Sequence, residues 1–226
     1  ALGESNSNHQ NIAQIINRIA RSYDFRSENA NEELGISELG LLTNALVSFQ
    51  KEQYRKEGVD KNKITYVVGR DTRLSSPRVS SNIVNTLRDS GVDVIDIGLC
   101  TTPQLYFVCQ WMEAVGLCDG GFMVTASHNP PEHNGFKPIL GSKDGVRNAS
   151  SDDIQSIKQI ALSLLNRNHD LSSGHKTRGS LKNMARAEWF NNYVTAVIGA
   201  NFVLGPRLWR EMLHKTTIRE AAKATE

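Results

Sequence analysis

The sequence predicts an α/β fold, a three-layer α/β/α domain with a mixed, largely parallel sheet, and three observations carry that prediction. Apolar runs of strand length recur at residues 64–68, 92–97 and 121–124, and they read as buried strands. Between them lie segments whose apolar residues repeat at helical spacing, bounded by Ser, Thr, Pro or Gly. Just past the strands come polar loops rich in cations and turn residues. Such alternation covers both faces of a sheet with helices. Ligands in such sheets gather at the carboxyl ends of the strands.

From the amino terminus, residues 1–8 read as a frayed end, and Ile12, Ile15, Ile16 and Ile19 then define a short amphipathic helix over 9–20. A second helix spans 37–58: Ser37 caps it, Leu39, Leu42, Ala45, Leu46 and Phe49 form its stripe, and Gly58 ends it in the left-handed region. After the strand at 64–68, Ser76 caps a third helix and Pro77 opens it. Val79, Ile83, Val84 and Leu87 face inward, and Gly91 closes it. Thr102 and Pro103 begin a fourth, with Leu105, Val108, Trp111 and Met112 buried. Residues 139–145 read as a strand and hairpin turn. Ser151-Asp152-Asp153 then caps a fifth helix striped by Ile154, Ile157, Ile160, Ala161, Leu164 and Leu165. Residues 166–183, rich in Ser, Gly, Asn and Lys, are the linker candidate.

The 226 residues allow one large or two small domains, and a formal net charge of +2 gives no argument for a nucleic-acid partner. Cys100, Cys109 and Cys118 are odd in number and form no C-x-x-C pair, which favours reduced thiols over a disulfide framework or zinc site. No apolar run approaches membrane-spanning length, and the polar start is unlike a signal peptide. A cytoplasmic protein with no membrane or nucleic-acid partner is the expectation.

Chemistry-bearing residues concentrate in Thr125-Ala126-Ser127-His128-Asn129-Pro130 and the following Pro131-Glu132-His133-Asn134-Gly135-Phe136-Lys137. Directly after the strand at 121–124, this stretch holds a hydroxyl, Ser127, at the mouth of a sheet. Two prolines stiffen the loop, and Asn134-Gly135 reads as a second turn. The stretch resembles the phosphoserine loop of the α-D-phosphohexomutases, the family of phosphoglucomutase, phosphomannomutase and phosphoglucosamine mutase. Tyr23-Asp24-Phe25-Arg26 is similar to the segment that opens the mutase fold, although Ser27 stands where the family has glycine. Gly69-Arg70-Asp71-Thr72-Arg73-Leu74-Ser75-Ser76-Pro77 is the other strong likeness. Alone, that last loop could cradle phosphate. The resemblance implies instead that it supports the catalytic loop through ion pairs of Asp71 and the arginines.

The resemblance implies domain I of the phosphohexomutases and phosphoryl transfer on a hexose phosphate through a phosphoserine at Ser127, with hexose phosphate and hexose bisphosphate as ligands. It names Ser127, His128, Lys137 and Arg26 as the catalytic residues, the cations offsetting charge on the phosphoryl group and His128 in a supporting role. It also implies Mg²⁺, bound through the phosphate on Ser127 and three aspartates of an Asp-x-Asp-x-Asp run. That run does not occur in the sequence. The expected organisation is therefore a tail and short helix over 1–20, domain I over 21–165, a linker over 166–183, and an incomplete second domain with a divergent end over 184–226. Trp189-Phe190-Asn191-Asn192-Tyr193-Val194 resembles that domain's first helix. A chain so truncated is expected to be inactive alone, to expose an apolar patch, and to self-associate or pair with the missing mutase domains. The alternative is a non-catalytic phosphosugar-binding or regulatory domain. A serine hydrolase built on adjacent Ser127 and His128 is disfavoured, since no G-x-S-x-G elbow occurs.

Overall fold

The computed structural model describes residues 2–61, 63–167 and 177–202. In chain order these form α1 (Leu2–Ile19), β1 (Phe25–Ser27), α2 (Ala30–Glu33), α3 (Ile36–Lys56), β2 (Thr65–Arg70), α4 (Ser76–Asp89), β3 (Asp93–Leu99) and α5 (Thr102–Glu113). They continue with β4 (Gly120–Val124), β5 (Asn134–Ser142), β6 (Gly145–Asn148), α6 (Ser151–Asn166), β7 (Leu181–Asn183) and α7 (Arg186–Phe202). The strands join one mixed sheet in the order β1-β5-β4-β2-β3-β7, with β6 on β5. Strands β4, β2, β3 and β7 run parallel, while β1, β5 and β6 pair antiparallel.

The strands look uniformly apolar because both faces are covered, yet the pleat still sorts their side chains. Tyr66, Val68, Phe122, Val124, Phe136 and Leu140 point into one core with the inner faces of α1, α3, α4 and α6. Val67, Ile95, Ile97, Met123 and Ile139 point the other way, to α5 and Trp189 of α7. Two cores back to back make the three layers. Each fully buried Leu or Ile contributes about 2 kcal/mol by leaving water.

The fold class is as the sequence predicts, and several boundaries differ for local reasons. Residues 2–8 continue α1 and are not a frayed end. Gly35, not Ser37, precedes α3, and Ser75 precedes α4, because the Ser76 hydroxyl is drawn to Asp71 at 2.5 Å. Thr101 caps α5 with Gln104 in a capping box, and Ser150 caps α6 with Asp153. Each of these caps lies one residue before the expected one. Gly58 and Gly91 do adopt left-handed φ of 69° and 76°. Trp111 is only half-buried. Asn134-Gly135 is no turn: both open β5 and are buried. A Cβ on Gly135 would lie 2.0 Å from the Phe25 carbonyl oxygen, so glycine is needed for the close approach of β1.

The segment read as a linker ends in β7, whose Leu181 and Lys182 pair with Val94 and Ile95. Ser180 is tied to the sheet by its amide, which donates to Asp93 at 2.7 Å. Expectations for 168–176 and 203–226 lie outside the described residues. Among the described residues no helix is long and apolar enough to cross a membrane.

Candidate functional site

Strand β4 ends at Val124, and the nine residues before β5 form a loop held from several sides. At its base the Thr125 amide donates to the Gly135 carbonyl at 3.0 Å, and the Asp71 amide donates to the Val124 carbonyl at 3.0 Å. The Thr125 hydroxyl accepts from the Ser127 amide at 2.9 Å, and Asn129 N–H donates to Ala126. Within this tight winding Ser127 has a φ of 60°, the single positive φ of a non-glycine residue among the described residues. An L-residue placed there costs about 1–2 kcal/mol. Strain of this kind persists only where the surroundings over-determine the backbone.

Arg73 supplies much of that determination. Its Nη1 donates to the carbonyls of Pro130 at 2.5 Å and His133 at 3.0 Å, and its Nη2 to those of Ser127 at 3.0 Å and Asn129 at 2.8 Å. Asp71 holds the guanidinium from behind through Nε at 3.1 Å. The planar fork of donors explains why an arginine stands here. Asn134 closes the arrangement by donating to Ser75 and Ser76 at 2.8 and 2.9 Å. The supporting role inferred for the 69–77 loop is thus realised by Arg73 and Asp71.

The other named residues divide into two settings. Ser127 and His128 are exposed at the loop tip, and among the described residues His128 has no hydrogen-bond partner. His133, farther along, is the histidine that bonds within the loop, its Nδ1 lying 3.2 Å from Asn129 Nδ2. Arg26, on β1, and Lys137, on β5, meet at the buried carboxylate of Asp24, at 2.5 and 3.0 Å from Oδ2. Arg26 also reaches the loop through Nη1 and Asn129 Oδ1 at 3.4 Å, while its buried Nε has no partner. Ser27, in the position where glycine was expected, is an ordinary strand residue whose hydroxyl donates to Glu33 at 2.6 Å. Asp24, Arg73 and Asn129 were not singled out by the sequence as site residues. For Asp24 the signal was present, a carboxylate two residues before Arg26.

A cleft of about 1010 Å³ opens in front of the loop, bounded by Ser127, His128, Lys137, Arg73, residues 99–104 and Arg186. It lies at the carboxyl ends of β2, β3 and β4, where open α/β sheets bind ligands. Arg26 is not among its lining residues. Leu74 and Leu99, both exposed, also line it. A cleft with cations and a presented hydroxyl can receive an anionic ligand and offer it a nucleophile. Among the described residues no group of three or more His, Cys, Asp or Glu could hold a metal ion.

Comparison with known proteins agrees with this geometry. Residues 17–167 match the family model described as phosphoglucomutase/phosphomannomutase, alpha/beta/alpha domain I. A phosphoglucomutase of Neisseria gonorrhoeae is 37% identical over 131 residues, covering 58% of this chain and 25% of that protein. A phosphomannomutase of Vibrio cholerae is 39% identical over 108 residues, 47% of this chain and 22% of the relative. The crystal structure of a phosphoglucomutase/phosphomannomutase family protein from Burkholderia thailandensis superposes with a TM-score of 0.60 at 28% identity. It covers 80% of this chain and 35% of that one. The chain spans about a quarter of the length of the N. gonorrhoeae relative. The family model, the relatives and the sheet topology converge, and the chain belongs to the phosphoglucomutase/phosphomannomutase family, whose α/β/α domain I occupies residues 17–167.

Proposed function

We propose that this chain supplies the phosphoryl-carrying site of a phosphohexomutase, working on hexose phosphates in the cytoplasm. Ser127 Oγ attacks a phosphorus of a hexose bisphosphate, the bond from that phosphorus to the sugar oxygen breaks, and the hydroxyl proton passes to the departing oxygen. The reverse step returns the phosphoryl group to a hexose monophosphate at its other position. The observation that supports this most is the presentation of Ser127: strained, exposed at a cleft, and with its carbonyl pinned by Arg73. Fixed placement of this kind contributes most when the chemistry is largely positioning and charge stabilisation, as in phosphoryl transfer.

Lys137 and Arg26 share one carboxylate, so one positive charge remains to offset the nearly two negative charges of a phosphoserine. His128, exposed beside Ser127, is the supporting hydrogen-bond donor to the phosphoryl group. The family resemblance implies Mg²⁺, but the described residues do not by themselves make its site. Only the phosphate on Ser127 would contribute oxygen ligands from the loop. Residues 21–165 act as domain I, and helix α7, resting on α5, belongs to an incomplete start of the second domain.

The test is a coupled mutase assay with Mg²⁺, glucose 1-phosphate and a bisphosphate primer, on the chain alone and mixed with the remaining mutase domains. Turnover that appears on mixing and vanishes in Ser127→Ala is the expected result. No gain on mixing, with both parts folded, would refute it. The cleft and the cations that border it also suit a second reading, a phosphosugar-binding module without catalysis. Hexose phosphate would then raise the melting temperature of the folded chain, as any ligand selective for the native state must, with no turnover under any mixing.

A further inference from the structure

Arg186 opens α7, outside the 17–167 segment that carries the family match, yet it borders the same cleft as Ser127, His128 and Lys137. Its guanidinium carbon stands 4.2 Å from the centroid of the Phe190 ring, a contact that steadies one face of the cation. Phe190 is braced in turn by Trp189 and Tyr193, with ring centroids 5.9 and 6.3 Å away, and Trp189 is fully buried in the second core. The guanidinium therefore rests on an aromatic shelf at the border of the cleft.

Its charge is also uncommitted. Of the other cations bordering the cleft, Arg73 is bonded to Asp71 and to loop carbonyls, and Lys137 is paired with Asp24. Among the described residues Arg186 has neither an ion pair nor a hydrogen bond. At the start of the helix the Ala185 amide already donates to Glu188 Oε1 at 2.6 Å, so that N–H is engaged within the chain. In the sheet order β5-β4-β2-β3-β7, Lys137 belongs to one side and α7, which follows β7, to the other. The cleft thus has a cation at each end, an arrangement suited to a ligand whose phosphate lies away from the reacting serine.

We propose that Arg186 is a binding residue for the phosphate of the incoming phosphosugar, an inference that rests on the phosphohexomutase reading. Glucose 1-phosphate is titrated calorimetrically into the full chain, into Arg186→Ala, Arg186→Gln and Arg186→Lys, and into each in a Ser127→Ala background. Melting curves verify that every variant is folded. The expected result is a Kd raised about tenfold in R186A and R186Q, the scale of one charge-assisted contact. Lys should recover part of the loss, and the same ratios should hold without Ser127. Mere loss of packing would not distinguish Lys from Gln in this way. Equal affinity in R186A, or no binding by the wild-type chain, overturns the inference. A ratio that disappears in the Ser127→Ala background also overturns it, since Arg186 would then serve a phosphate on the serine. The phosphohexomutase reading is judged separately, by whether the wild-type chain, mixed with the remaining mutase domains and Mg²⁺ and incubated with glucose 1,6-bisphosphate, gains a phosphoryl group on Ser127. If it does not, while R186A still binds about tenfold more weakly, the anion contact stands and the transfer reading fails.

Discussion

Ser127 and Arg73 are two halves of one device: a residue in a disfavoured conformation and the fork of donors that keeps it there. Ser127→Gly should remove the left-handed penalty and leave the chain about 1 kcal/mol more stable than Ser127→Ala, measured by urea unfolding. Equal midpoints would mean that the φ of 60° is not strained. Arg73→Ala leaves four loop carbonyls without their donor. The exposed ones can turn to water, so the expected cost is about 2 kcal/mol rather than the sum of four bonds. Arg73→Lys should rescue little, because a single ammonium cannot span carbonyls from Ser127 to His133. Asp24→Asn should cost about 3 kcal/mol, since Arg26 and Lys137 would face each other across a neutral amide.

At the scale of elements, α6 carries a pH dependence that can be followed through one carboxyl. Burial pushes Asp153 up, but hydrogen bonds from Arg147 and Ser150 outweigh it and hold the group below the ordinary carboxylate range. Its folded pKa lies below the unfolded one, so its contribution is fully present above the unfolded pKa and fades as pH falls through the folded value. Asp153→Asn should lose about 1 kcal/mol at neutral pH, the scale of a helix cap, and should flatten the stability profile below pH 4. An unchanged acid profile would count against this role. The thiols on and around α5 give a second readout. Burial pushes Cys100 up to about 12 and also raises Cys109 well above the ordinary thiol range, and none of the three cysteines is in a disulfide. A thiol reagent at pH 8 should label none of them until the chain is unfolded. Labelling of the native chain at the unfolded rate would show that this helix opens on its own.

For the whole molecule, the second core makes α7, which lies beyond the family match, part of the same folded body. Trp189 on α7 is fully buried beside α5, so Trp189→Ala should destabilise the entire chain by about 3–5 kcal/mol in a single transition. The sheet and its covering helices were legible in the sequence because parallel strands are continuous apolar runs and the helices keep their stripes. What could not be read were features set by distant partners. Asn134-Gly135 looks like a turn locally, but β1 and the serines of α4 claim it for a strand. Residues 181–183 look like linker, but the exposed edge of β3 recruits them. Ser127 and Lys137 were visible in a motif, whereas Asp24 and Arg73 acquire their roles only when the chain brings them across the sheet. The account rests on Ser127 as the phosphoryl acceptor. Its most direct test is peptide mass spectrometry of the chain, mixed with the remaining mutase domains, after incubation with glucose 1,6-bisphosphate and Mg²⁺. One phosphoryl group on the Ser127 peptide, absent in Ser127→Ala, is the predicted result; a folded chain that stays unmodified, or modification at another residue, would contradict it.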